Sequence, residues 1–212
     1  MRGVRVVLIG GTSNVGKSTV GRAVAERLGF AYRSTDGLAR HPGRPWRTPD
    51  HEVPEHVAEH YRSLTADELL MSVLDHYERL WPRIEELITA HAAGSGDRPG
   101  LVLEGSALWP SRVVRTAASR TAAVWLTSDA GIVRARIRDA GRYEAATAGE
   151  RHLMDKFPAR TERCQTLMLE AVGRLGLDRI DAGDGRSVEA LVDAVLAAVD
   201  AQDVVGRSCG GR

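Results

Sequence analysis

The ten residues GGTSNVGKST, Gly10 to Thr19, restrict what this chain can fold into more than any other stretch. They follow the apolar run Val4–Ile9 and precede VGRAVAERLGF, so a strand is predicted to enter the turn and a helix to leave it. Gly11, Thr12, Ser13, Asn14, Val15, Gly16, Lys17 and Ser18 satisfy the pattern G-x-x-x-x-G-K-[ST] in full. Glycines at 10, 11 and 16 let the backbone take positive φ and approach a ligand closely. Successive N–H groups then point inward at the amino end of the helix, where negative charge is favoured. Such a loop cradles the phosphates of a nucleoside triphosphate. Lys17 is expected to reach the β- and γ-phosphates, Ser18 to coordinate Mg²⁺, and Thr19 to stand beside them in the first turn.

The rest of the chain alternates in a way that suits this loop. Short apolar or β-branched runs recur at Val4–Ile9, Phe30–Arg33, Leu101–Leu103, Ala122–Leu126 and Leu177–Ile180, without the alternation of a half-exposed sheet. Helical patterns fill the gaps: Val20–Leu28, Ile132–Asp139, a segment from near Arg160 to Leu175, and Val188–Val199 behind Ser187. Thr65-Ala-Asp-Glu68 is a capping box, followed by a long apolar stripe from Leu69 to Ile88 that Pro82 is expected to kink. Gly37–Pro54 and Gly94–Gly100 read as loops. The predicted fold class is α/β: a three-layer P-loop NTPase fold on a central five-stranded parallel sheet, with a helical substrate-binding insertion and a short lid. In residues, the expectation is one domain over 1–200, with its core in 1–36 and 100–200, the insertion in 37–99 and the lid in 139–157. A frayed tail is expected over 201–212.

The loop alone serves GTPases, transporters, motors and kinases alike. No N-K-x-D or T-K-x-D guanine box follows a later strand, and no LSGGQ is present. What is present resembles the small-molecule and nucleotide kinases of the P-loop class. GKSTVGRAVAERLGFAYRSTD is similar to the opening of shikimate kinases, in which an acid follows the second strand. Those enzymes carry Asp-x-Asp there; this chain reads Ser34-Thr-Asp36 and keeps only the second acid. VLEG at 102–105, followed by an apolar stretch and a proline, resembles instead the third strand of 2-phosphoglycerate kinases.

Several side chains gain meaning in that frame. Asp36, past the end of the second strand, would orient or deprotonate an acceptor hydroxyl. Glu104 ends the third strand and could hold Mg²⁺ through water or receive the acceptor; the sequence does not divide these roles between the two acids. The resemblance to adenylate and shikimate kinases places the start of a lid after the fourth strand. It implies Arg136 for stacking on adenine and Arg142 for closing on the transferred group, with Arg138 an alternative to either. Arg160 and Arg163 open the next helix and could reach phosphates or simply be surface charges. Arg40, Arg44 and Arg47 share a loop directly after Asp36 and could recognise an anionic group on the acceptor.

Bulk properties narrow the choice further. With 29 basic against 28 acidic residues in 212, the net charge of +1 gives no reason to expect nucleic acid or a membrane. Two distant cysteines, Cys164 and Cys209, and the lack of a long apolar run lead to the expectation of a reduced cytoplasmic protein, monomer or homodimer. The expected activity is an ATP- and Mg²⁺-dependent transfer of the γ-phosphate to a hydroxyl of a small metabolite or antibiotic-like molecule. The alternative is a regulatory ATP-binding module with no small-molecule acceptor.

Overall fold

The computed structural model describes residues 3–39, 43–47, 52–94, 99–116 and 119–209, with side chains through 204. Five strands, β1 (Val6–Gly10), β2 (Ala31–Ser34), β3 (Leu101–Glu104), β4 (Thr121–Thr127) and β5 (Arg179–Asp181), form one sheet in the order β2-β3-β1-β4-β5. Every pairing is parallel. Parallel strands need covered connections, and helices supply them on both faces.

The alternation of β1 decides which layer meets which. Val7 and Ile9 face one side, where they join Val20 and Val24 of α1 (Lys17–Leu28) and Val192, Val195 and Val199 of α7 (Val188–Cys209). Val6 and Leu8 face the other, against Leu80, Ile84 and Ile88 of α3 (Ala66–Ala92) and Met168 and Val172 of α6 (Ala148–Arg174). Burying each such side chain stabilises the fold by about 1.5–3 kcal/mol. The short α2 (Glu55–Ser63), α4 (Pro110–Thr116) and α5 (Ala130–Ala140) complete the helical layers. The fold class read from the sequence is the one observed.

Three element boundaries differ from the sequence expectation. α6 begins a dozen residues before Arg160, at a capping box in which Thr147 Oγ1 accepts from the Glu150 N–H at 3.3 Å and Glu150 Oε2 accepts from the Thr147 N–H at 2.7 Å. Pro158 lies within it without ending it. α3 runs through Pro82 as one helix, with Trp81 and Ile84 buried on either side of the ring. Leu177, expected to open a strand, instead closes α6 with its N–H on the Val172 carbonyl at 3.0 Å. Residues 201–209, expected to fray, extend α7, anchored by Gln202, which bonds both the N–H and the carbonyl of Ala123. Among the described residues no helix is long and apolar enough to cross a membrane.

Candidate active site

β1 lies inside the sheet, with β3 on one side and β4 on the other, so the chain reverses direction across the carboxyl edge beside it. Ligands collect at such a switch point in open α/β sheets. Gly10, Ser34, Glu104 and Thr127 all end their strands there.

The loop after β1 turns through three residues of positive φ: Gly11 at 134°, Asn14 at 62° and Gly16 at 99°. Asparagine tolerates this region better than most side chains. Gly10 does not share the conformation, contrary to the sequence reading. It is needed for space: a Cβ there would lie 2.3 Å from the Trp125 indole nitrogen. A Cβ at Gly16 would meet nothing within 4 Å, so the amino end of α1 opens onto free volume, as a phosphate cradle requires.

Lys17 is buried, and its ammonium donates to the Thr12 carbonyl at 2.6 Å, across its own loop. Loss of water holds its pKa below the usual 10.5; the charges of Glu104 and Asp36 work in the opposite direction, and that of Arg44 adds to the lowering. The loop is also held from outside. Thr12 Oγ1 donates to Gln165 Oε1 at 3.0 Å, and Gln165 Nε2 donates to the Ser128 carbonyl at 2.8 Å. Arg136 spans two carbonyls, Asn14 of the loop and Ala182 after β5, each at 3.3 Å. That puts its guanidinium between the loop and the 181–186 turn.

The two acids stand in different surroundings. Glu104 is 2% exposed, and its Oε1 accepts from Ser18 Oγ at 3.1 Å and from Tyr32 Oη at 2.9 Å. Gly21 permits this packing, since a Cβ there would already lie 3.3 Å from the Tyr32 ring and 3.4 Å from Glu104 Cγ. A hydroxyl and a carboxylate this close form a hard-oxygen pair suited to Mg²⁺, which takes few protein ligands and completes its shell with water and phosphate. Asp36 sits in a 3₁₀ turn (Thr35–Gly37) whose start Ser34 Oγ caps at 3.3 Å. Its carboxylate pairs with nothing among the described residues.

Asp36 lines a cleft of about 510 Å³ together with Ser13 of the loop, Arg44, His76, Ser106 and Arg160. Arg160 is 6% exposed, lies over the Phe157 ring at 4.3 Å and donates to Tyr61 Oη at 3.2 Å. No carboxylate pairs with it among the described residues. A guanidinium so placed could hold an anion. The other arginines separate from it. Arg163 pairs with Asp67, Arg134 with Glu162, and Arg47 with Glu150 at 3.4 Å. Arg138 lies over the Tyr143 ring at 4.6 Å, with Asp155 at 3.8 Å. Arg142 lines a different hollow of about 300 Å³ with Trp46, Glu150 and Met154, away from Lys17 and Asp36. Arg40 lies outside the described residues.

Several solved structures that share this architecture are kinases. A gluconokinase from Sinorhizobium meliloti matches 98% of this chain and 97% of its own at 18% identity, with a TM-score of 0.55. A sugar kinase from Janibacter matches 93% of this chain and 95% of its own at 19% identity, TM-score 0.56. The shikimate kinase of Acinetobacter baumannii, solved with shikimate, matches 94% of each at 15% identity, TM-score 0.52. The fold is that of the shikimate kinase-like P-loop kinases. At such identities the likeness concerns the fold alone. No protein-family model matches the chain, and no curated protein matches it in sequence.

Of the residues singled out in the sequence, the loop, Asp36, Glu104 and Arg44 lie at one strand edge, whereas Arg47 and Arg142 line the outer hollow. Sequence reasoning gave Arg160 no preference over Arg163, because burial decides between them and the two lie three residues apart on one helix. Tyr32 was legible only as part of LGFAYR. Gln165 carries no signal at all: a lone glutamine in a helix gains a role only when the fold sets it against Thr12.

Proposed function

We propose that this protein is an ATP-dependent phosphotransferase that moves the γ-phosphoryl group to a hydroxyl of a small molecule. One observation carries the reading: Asp36 and Arg160, neither of which has an ion-pair partner among the described residues, line a single cleft at the carboxyl edge of the sheet together with the loop residue Ser13.

In this reading the amides of residues 11–17 and the Lys17 ammonium hold the β- and γ-phosphates. Arg136 sits on the adenine side. Ser18 and Glu104 would hold Mg²⁺, which when bound neutralises charge on the phosphate oxygens. The acceptor oxygen bonds to the γ-phosphorus as the bond to the bridging oxygen breaks, ADP leaves, and the hydroxyl proton passes to Asp36. Glu104 is the less suitable base, since two hydroxyls already donate to it. Arg160, with Arg44, would anchor an anionic group of the acceptor.

The test is a panel of hydroxylated metabolites and antibiotics incubated with MgATP and read by mass spectrometry for an added phosphoryl group. Asp36→Asn is expected to lower kcat by at least about 10²-fold while leaving MgATP affinity within about twofold. Equal loss of both would make Asp36 a nucleotide-binding or structural residue.

A further inference from the structure

Two hydroxyls meet on a single oxygen of Glu104. Ser18 Oγ donates to Oε1 at 3.1 Å, and Tyr32 Oη donates to the same atom at 2.9 Å. A carboxylate only accepts, so both protons point at Oε1 and both of its lone pairs are taken. Neither bond engages Oε2.

The tyrosine is firmly seated. It stands on β2 opposite Val102 of β3, just before the Ser34–Glu104 pair in the parallel register. Its ring lies against α1: a Cβ at Gly21 would come within 3.3 Å of it, and the Arg22 guanidinium lies over its face at 5.0 Å. The hydroxyl is therefore a fixed donor, and its bond to a charged acceptor is of the stronger kind.

This arrangement divides the work of the carboxylate. Ser18 gives its proton to Oε1, which leaves the lone pairs of its own oxygen free to face a cation. Oε1, occupied twice, is closed to that cation, so only Oε2 can turn to a metal or to a water on it. Bidentate coordination is blocked. Ca²⁺ takes about six to eight oxygens and readily uses bidentate carboxylates, whereas Mg²⁺ takes few protein ligands and fills its octahedron with water and phosphate. No group of three or more His, Cys, Asp or Glu side chains comes together among the described residues, so no acidic cage makes up a Ca²⁺ shell there. We infer that Tyr32 is a positioning residue for the metal: by filling Oε1 alongside Ser18 it restricts Glu104 to contact through one oxygen, and so selects Mg²⁺ over Ca²⁺ beside the bound nucleotide. The inference rests on the reading of Ser18 and Glu104 as the residues that hold Mg²⁺.

Calorimetric titration of the wild type and of Tyr32→Phe with ADP, which binds without turnover, tests it. Each protein is titrated in EDTA, in Mg²⁺ and in Ca²⁺. The readout is the gain in affinity that each metal gives over EDTA, a ratio in which a general loosening of the fold cancels. Tyr32→Phe keeps the ring and removes only the donor. The Mg²⁺ gain is expected to fall by about tenfold or more, within the span of about 10–100-fold typical of outer partners of metal ligands. The Ca²⁺ gain is expected to hold within about twofold or to rise, because the freed lone pair opens bidentate contact. Equal losses with the two metals, or no loss with Mg²⁺, overturn the inference and leave the nucleotide site standing. Wild-type ADP binding that gains nothing from Mg²⁺ removes the metal site and this role of Tyr32 with it. ADP that binds in none of the three buffers removes the nucleotide reading and the inference together.

Discussion

Burial makes the charge of Lys17 conditional. Without nucleotide its pKa lies below 10.5, mainly through loss of water. Between that lowered value and 10.5 the unfolded chain keeps the proton that the folded chain releases, so this group favours the fold increasingly as pH rises through the window. Bound triphosphate works the other way, because its negative charge stabilises the ammonium and raises the pKa again. MgATP affinity is therefore expected to weaken as pH climbs through the free protein's Lys17 value, and binding in that window should take up protons. Calorimetry from pH 7.5 to 10.5 in buffers of different ionisation heat measures both. Lys17→Arg, which cannot titrate in this range, is expected to bind MgATP with no such slope. An affinity that stays flat up to pH 10.5 in the wild type would show that Lys17 does not meet the phosphates as an ammonium. At this scale spacing places Lys17 and Ser18 at the start of α1, behind the loop, as expected. Gly10 was misread because φ and free volume, which both call for glycine, look the same in one-letter code.

Among the elements, α6 has the widest reach. It starts at the Thr147–Glu150 capping box, carries Phe157 and Arg160 into the Asp36 cleft and, further along, presents Gln165 to the loop after β1. The capping box is present in the sequence as T-x-x-E, but the expectation of a lid over 139–157 hid the helix's first turns. Tertiary packing overrode propensity there: Met154, Phe157, Pro158 and Arg160 are all buried. Gln165 links Thr12 to Ser128, so one side chain fixes the loop relative to the end of β4. Removing either partner of the Thr12–Gln165 bond should loosen the cradle and weaken MgATP binding by about three- to tenfold, the span of an ordinary net hydrogen bond. Thr12→Val and Gln165→Ala are expected to be non-additive, with the double variant no worse than the weaker single one within about twofold. Titration of the four proteins with MgATP closes the cycle. Strict additivity would mean that Gln165 does not set the geometry of the loop.

At the scale of the whole molecule the order β2-β3-β1-β4-β5 accounts for most of what was legible. Once a strand–loop–helix of this type is placed at β1, the end of β3 falls beside it and that of β2 one strand further out, and Glu104 and Asp36 arrive with them. The arginines were less legible, because their partners depend on helix faces and on how α5, α6 and the 43–47 loop lie against one another. Arg142 is the sharpest case. It stands in left-handed conformation at φ 49°, between α5 and the turn before α6, in a hollow that shares no lining residue with the Asp36 cleft. To act on a transferring phosphoryl group it has to be carried there by movement of the 139–157 segment, a closure that would also exclude water. If it makes that journey, its charge acts in the transition state and not in ground-state binding. Arg142→Ala is then expected to lower kcat by at least about 10³-fold with little change in the KM for ATP. Amide exchange over 139–157 should also slow when MgATP and an acceptor are present together. Unchanged kcat in that variant, with exchange that ignores both ligands, would fix Arg142 as a surface residue of the outer hollow and leave Arg160 as the arginine nearest the transferred group.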